Sequence, residues 1–260
     1  MKTPLKLFAT LALVFCFCAL PPAAPAAESG KVLRIAVEAP YPPFAMADEE
    51  GNLSGFDVDI AYALCNELGY ECDVRNVPFD EIIPRIVAGE IDLGIAGMGA
   101  SAERKKLVDF TERYFRSLSV YIEKEGTLSE LTPESIKGLR VGTQADTLQS
   151  AYLEKTYGDS ITLLLVPTYD QVFEMLKKDE IDLALVDGLP GYTYLKSENG
   201  VGLETIGDAI ESGGVMDWAS IAVSKEKPWL RDAVNQAIQA LRRNGEYGKI
   251  NRKYFDFNIY

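Results

Sequence analysis

The chain has 260 residues, 47% of them hydrophobic and 25% charged, with a net charge of −13 and no histidine. At about 150 residues per domain this length suits two modest lobes, and the acidic balance argues against nucleic acid and anionic membrane surfaces as partners. The missing histidine removes Ser-His-Asp and Cys-His nucleophiles, histidine zinc sites and the imidazole general base, leaving carboxylates, lysine or tyrosine for any catalysis.

Lys2 and Lys6 precede an apolar run from Leu7 to Leu20, followed by Pro21, Pro22 and a small-residue stretch ending Ala26-Ala27. This is the pattern of a secretory signal peptide over residues 1–27, cleaved near Ala26, with the remaining chain expected in the periplasm. Cys16 and Cys18 each follow a bulky Phe rather than the small residue a lipoprotein signal wants, and no later apolar run approaches the roughly 20 residues of a membrane span. No direct membrane insertion is therefore expected. Loss of the two lysines takes the net charge from −13 to −15. Only Cys65 and Cys72 remain, an even count in an oxidising compartment, and a structural disulfide between them is expected.

Strand-length apolar runs then alternate with helical patterns, which signals α/β architecture. Val32–Val37 reads as the opening strand, and Phe56–Leu68 as a helix with Asp57 as N-cap and Gly69 as stop. Asp80–Ala88 is a second helix closed by Gly89, Ile91–Ala96 a buried strand, and Ser101 the cap of a short charged helix. Leu118–Ile122 is a strand leading into a polar stretch. Further along come strand Arg140–Gly142, helix Thr147–Tyr157, strand Ile161–Val166, a helix opened by a capping box at Thr168 and Gln171, and strand Ile181–Val186. A strand over Met216–Val223 follows Gly213-Gly214, Pro228 starts a long helix ending at Asn244-Gly245, and a last helix runs from Tyr247 towards Phe255.

Glu90-Ile91-Asp92-Leu93 and Glu180-Ile181-Asp182-Leu183 are identical, and each links a helix to a strand. The two halves read as variants of one design. Ligands of open α/β sheets bind beyond the carboxyl ends of the strands, where this chain carries Gly97-Met98-Gly99 and Asp187-Gly188. Two such ends facing each other would enclose a small molecule.

Gly97-Met98-Gly99-Ala100-Ser101-Ala102 matches the dinucleotide pattern G-x-G-x-x-A only weakly, because the following helix is short and charged. The better reading is an anion receptor, with backbone N–H groups approaching a carboxylate or phosphate and Arg104 adding a fork. Arg104 also reads as an ordinary exposed helix arginine. Asp187 is suited to an ammonium group or, equally, to N-capping the segment around Pro190. Tyr41, on the proline-stiffened loop Tyr41-Pro42-Pro43-Phe44, and Phe79 are candidate aromatic platforms, with core packing as the alternative. Glu38 ends the first strand and faces the same cleft, or is a solvated strand-end charge.

Gly55-Phe56-Asp57-Val58-Asp59-Ile60, continuing to Leu64-Cys65-Asn66-Glu67-Leu68, resembles the signature of the bacterial extracellular solute-binding proteins for polar amino acids, the periplasmic receptors of ABC importers. The resemblance extends through Val32–Phe44, Phe79–Pro84, Ala96–Arg104 and the tail Arg252–Phe257, and is greatest to the lysine/arginine/ornithine- and histidine-binding proteins. It implies a type II periplasmic binding protein fold, with a central sheet flanked by helices in each lobe and a two-strand hinge. Lobe one would comprise residues 28–117 and 218–260, and lobe two residues 118–217. A monomer without cofactor, metal or catalytic residue, delivering a polar L-amino acid with a basic or amide side chain to a membrane ABC permease, is expected. In the family, the position of Arg104 grips the α-carboxylate together with backbone N–H groups matching Gly97, Gly99, Thr147 and Leu148. The position of Asp187 takes the α-ammonium, Tyr41 and Phe79 sandwich the side chain, and Glu38 can meet a cationic tip.

The chain departs from the family at Gly99, where Ser or Thr is common, at Ala96, which replaces a serine, and at Asp146-Thr147-Leu148, where Gly-Thr-Thr is usual. The rival reading is a cyclohexadienyl or arogenate dehydratase on the same fold, with Glu38 or Asp146 as its acid.

Overall fold

The structure, a computed structural model, describes residues 31–210, 215 and 218–260. The expected signal peptide, Gly213-Gly214 and Met216 lie outside the described residues. The chain begins with β1 (Val32–Val37), the short hairpin β2 (Met46–Ala47) and β3 (Leu53–Ser54), and α1 (Phe56–Leu68). β4 (Glu71–Asn76), α2 (Phe79–Val87), β5 (Leu93–Gly94), α3 (Arg104–Leu107) and β6 (Asp109–Arg116) follow. Then come β7 (Ser119–Lys124), β8 (Arg140–Gln144), α4 (Leu148–Tyr157), β9 (Thr162–Val166), α5 (Tyr169–Lys177), β10 (Leu183–Asp187) and α6 (Gly188–Leu195). β11 (Leu203–Ile210), β12 (Trp218–Val223), α7 (Pro228–Arg243) and α8 (Glu246–Tyr254) complete the chain.

Two five-stranded sheets form, in the orders β4-β1-β5-β12-β6 and β9-β8-β10-β7-β11. They are built alike. In each, the first strand of a β-α-β-α-β run lies between two parallel neighbours, and an antiparallel pair completes the far side. β1, β4 and β5 correspond to β8, β9 and β10, and α1 and α2 to α4 and α5. The chain crosses from the first sheet to the second between Arg116 and Ser119, and returns between Ile210 and Trp218. The protein is a two-lobed α/β fold.

The repeated Glu-Ile-Asp-Leu segment has a physical role in this duplication. In the first half Asp92 accepts from the Arg34 backbone N–H at 3.0 Å and from its Nε and Nη2 at 2.9 Å each. In the second half Asp182 accepts the same three bonds from Arg140, at 2.8, 3.1 and 2.5 Å. Each aspartate thus clamps the start of the strand that runs down to the cleft. Burial would raise the Asp92 carboxyl, but hydrogen bonds from Arg34 and Lys227 outweigh it and hold it down at about 2.

The central strands are nearly continuous apolar runs because helices cover both faces, and Ile35, Val37, Leu93, Leu183, Leu185 and Val186 are fully buried. α1 packs Phe56, Ile60 and Leu64 inward, and the Cys65–Cys72 disulfide ties its end to β4. Helix α1 corrects one expectation. Its N-cap is Gly55, at φ 131, where a Cβ would lie 2.2 Å from the Phe44 carbonyl oxygen, so only glycine fits. Asp57 lies inside the first turn and is buried, with its Oδ1 accepting from the Tyr114 hydroxyl at 3.0 Å. Ser101 caps one turn early. Its Oγ accepts from the Arg104 N–H at 3.1 Å, while the four-residue helix α3 begins only at Arg104. The strand expected over Ile91–Ala96 pairs only at Leu93–Gly94, and β4, β6 and β11, which carry many charged or exposed positions, were not expected.

Candidate functional site

A cavity lies between the carboxyl ends of the two sets of parallel strands. All nine ligand-site candidates line it: Glu38, Tyr41, Phe79, Gly97, Gly99, Arg104, Thr147, Leu148 and Asp187.

Glu38 follows the last residue of β1 and is 5% exposed. Its Oε1 accepts from Gln144 Nε2 at 2.5 Å, across from the end of β8. Burial pushes its carboxyl up to about 8, with the Gln144 bond opposing and Asp80 adding to the rise. Asp187 ends β10 at 1% exposure. It accepts from Tyr41 Oη at 2.9 Å, from the Ser117 hydroxyl and from the Leu189 N–H at 3.2 Å, which makes it the N-cap of α6 as well as a cavity wall. Burial raises this carboxyl to about 6 against those three hydrogen bonds. The N-cap reading of Asp187 from the sequence is thus met, by a residue that also lines the cavity.

Arg104 opens α3 and reaches across the cleft. Its Nη1 donates to the Gly99 carbonyl at 2.8 Å and its Nη2 to the Asp146 carbonyl at 2.7 Å, and the guanidinium lies 5.2 Å from the Phe79 ring centroid. Burial lowers its pKa to about 10, so it remains a cation at neutral pH. Asp146 itself is exposed and adopts φ 58, the left-handed conformation that accounts for glycine being usual there. Thr147 caps α4 through its side chain, accepting from the Ser150 N–H at 3.2 Å, so the first turn of that helix opens into the cavity.

Gly97 takes φ 56, and an added Cβ would lie 3.2 Å from the Tyr41 hydroxyl oxygen. Its N–H donates to the Tyr114 hydroxyl at 3.0 Å, and that hydroxyl donates in turn to Asp57. The signature aspartate therefore supports the glycine loop from behind, and burial holds its carboxyl well above the ordinary range. Tyr41 is anchored by a tight loop in which its N–H donates to the Ala45 carbonyl at 2.8 Å and its carbonyl accepts from the Ala45 N–H at 3.0 Å.

Four lining residues were not singled out as binding candidates: Ala96, Gln144, Gln149 and Tyr169. The internal duplication would have found two of them. Gln144 stands four residues after Arg140 as Glu38 stands four after Arg34, and Tyr169 opens α5 as Phe79 opens α2. Each half thus contributes one strand-end polar group and one helix-start aromatic ring. Among the described residues no group of three or more acidic or cysteine side chains could hold a metal ion, and no helix is long and apolar enough to cross a membrane.

Known proteins are similar to this chain in sequence and fold. The L-arginine-binding protein of Pseudomonas aeruginosa is 31% identical over 91% of this chain and 92% of its own length. The lysine/arginine/ornithine-binding periplasmic protein of Escherichia coli is 28% identical over 88% of this chain and 90% of its own. The solved structure of an ancestral arginine-binding protein bound to arginine is 33% identical, covers 86% of this chain and 98% of its own, and superposes with a TM-score of 0.80. Residues 33–257 match the model of a single family, and the chain belongs to it: the bacterial extracellular solute-binding proteins, family 3.

Proposed function

We propose that this protein is the periplasmic receptor of an amino-acid ABC importer, capturing a polar L-amino acid with a cationic side chain between its lobes and passing it to a membrane permease without chemical change. The carrying observation is the charge pattern of one cavity. Two buried carboxyls, Glu38 and Asp187, and one arginine, Arg104, line it, and with both carboxyls ionised its net charge is −1. A cationic amino acid carries an α-carboxylate, an α-ammonium and a positive tip, a net charge of +1 that complements all three groups. Arg104 with the N–H groups around Gly97, Gly99, Thr147 and Leu148 would take the carboxylate, Asp187 the ammonium and Glu38 the tip. The names of the relatives, which bind arginine or lysine, arginine and ornithine, support this reading.

In this reading residues 1–27 are removed on export, residues 28–117 and 218–260 form one lobe, and residues 118–217 form the other. The two crossings of the chain between its sheets serve as the hinge. The bonds from Arg104 to Asp146 and from Tyr41 to Asp187 join the lobes as a closed clamp would.

The test is thermal unfolding of ligand-stripped protein against the common amino acids and against arogenate and prephenate. A ligand that binds only the folded state at about a thousand times its Kd stabilises by about 4 kcal/mol. Arginine, lysine or ornithine is expected to raise the midpoint by several degrees. No shift with any amino acid, or conversion of arogenate or prephenate to an aromatic product, refutes the proposal.

A further inference from the structure

We infer that Tyr169, and not Tyr41, is the ring that meets the ligand's side chain opposite Phe79; this inference rests on the proposed function. Two rings pack against Tyr41. Phe44 lies nearly parallel to it, with centroids 5.3 Å apart and planes at 25°, and so does Tyr169, at 5.8 Å and 24°. No ring contact joins Phe44 to Tyr169 among the described residues, so Tyr41 stands between them. The Tyr41 hydroxyl is also committed to Asp187. Tyr41 is therefore a positioning residue, a spacer between the first-sheet core and the cavity.

Tyr169 is the outermost ring of that stack. It is 6% exposed and lines the cavity, while one of its faces rests on Tyr41. The Glu38, Asp187 and Arg104 charges all act on its hydroxyl, which places the ring among the three groups assigned to the ligand. It opens α5 as Phe79 opens α2, so the two rings approach the cavity from corresponding places in the two halves of the chain.

Two consequences follow for recognition. A cationic side chain running to Glu38 crosses the face of Tyr169, where the ring quadrupole attracts it and a planar guanidinium stacks better than a compact ammonium. The two rings come from helices that flank different sheets, so the aromatic pair is complete only when the cleft is closed. This ties side-chain recognition to closure rather than to a preformed half-site.

The experiment is calorimetric titration of Tyr169→Met, Tyr169→Phe and Tyr41→Phe with L-arginine and L-glutamine, beside tyrosine difference absorbance on adding arginine. Tyr169→Met is expected to weaken arginine by about 5- to 30-fold and to lower the preference for arginine over glutamine. Tyr169→Phe keeps a ring and should stay within about 3-fold of the unmodified protein for arginine, yet lose most of the arginine-induced tyrosine signal. Tyr41→Phe should leave the arginine-to-glutamine ratio unchanged. Arginine binding by Tyr169→Met within about 2-fold of the unmodified protein, or equal losses for both amino acids, overturns the inference while leaving the function standing. If Tyr169→Met does not fold, an undiminished tyrosine signal in Tyr169→Phe overturns it. Failure of the unmodified protein to bind any amino acid removes the functional reading, and this inference with it.

Discussion

Replacing Glu38 by glutamine separates the two things that its burial does. The side chain keeps its size and its contact with Gln144, but the charge is gone. In the ligand-free protein, raising the carboxyl from 4.5 to about 8 corresponds to about 5 kcal/mol at about 1.36 kcal/mol per pH unit. This is a ceiling, because opening of the cleft rehydrates the group. A raised carboxyl binds its proton more tightly in the folded state, so its contribution favours folding least at high pH. The ligand-free protein should lose stability as pH rises from about 4.5 to about 8 and then level off. Glu38→Gln removes that slope and raises the ligand-free midpoint above that of the unmodified protein at alkaline pH. Arginine binding changes in the opposite sense. Loss of a charge-assisted hydrogen bond costs about 1.5–3 kcal/mol, or about 10- to 150-fold in Kd, whereas glutamine affinity should move by less than about 3-fold. Calorimetry in buffers of different ionisation enthalpy supplies a further signature. The unmodified protein should release a proton on binding arginine near neutral pH, and Glu38→Gln should release fewer. A variant with unchanged arginine affinity and an unchanged stability slope with pH would show that Glu38 neither meets the cation nor carries the burial cost.

Other outcomes follow from the same geometry. Arg104→Ala loses both the carboxylate partner and the bridge to Asp146, so calorimetry should detect no amino-acid binding, while circular dichroism shows an intact fold because α3 buries no residue. Reduction of the Cys65–Cys72 disulfide, which closes a loop of sequence separation 7, should destabilise by about 2.5 kcal/mol in chemical denaturation and leave ligand preference unchanged. Asp92→Asn removes the charge that pairs with Arg34 and Lys227 and should cost about 1–3 kcal/mol at neutral pH. Since the Asp92 carboxyl is held at about 2, below its ordinary 3.8, the stabilisation is present above pH 3.8 and fades as pH falls through about 2. The variant and the unmodified protein should therefore converge in stability in strong acid.

Local signals were sufficient for much of this protein. Apolar runs such as Ile181–Val186 and glycine stops such as Gly69 mark elements whose periodicity is their own cause, and the helix cap at Thr168 needs only its neighbours. The identical Glu-Ile-Asp-Leu segments carried the duplication, and the glycine loop with Arg104 pointed to residues that line the cavity. The edge strands β4 and β11 were missed because a strand with one half-solvated side has no distinctive apolar period and is held by its partner's backbone. Asp57 looked like an N-cap because aspartate favours that position. What placed it inside the helix was the Phe44 carbonyl, brought so close to Gly55 that no side chain fits between them.

The chain order and residue types by themselves determined an α/β protein of two similar halves and a candidate site at the strand ends. Only the tertiary structure decided how the halves share that site. Glu38 meets Gln144, Arg104 reaches the Asp146 carbonyl, and Tyr169 covers Tyr41, although in each pair the partners lie far apart in sequence. Such contacts depend on how the two sheets face each other, and no local periodicity encodes that orientation. It also sets the dielectric around each charge, which is why burial, rather than any neighbour in the sequence, raises Glu38 to about 8 and Asp187 to about 6.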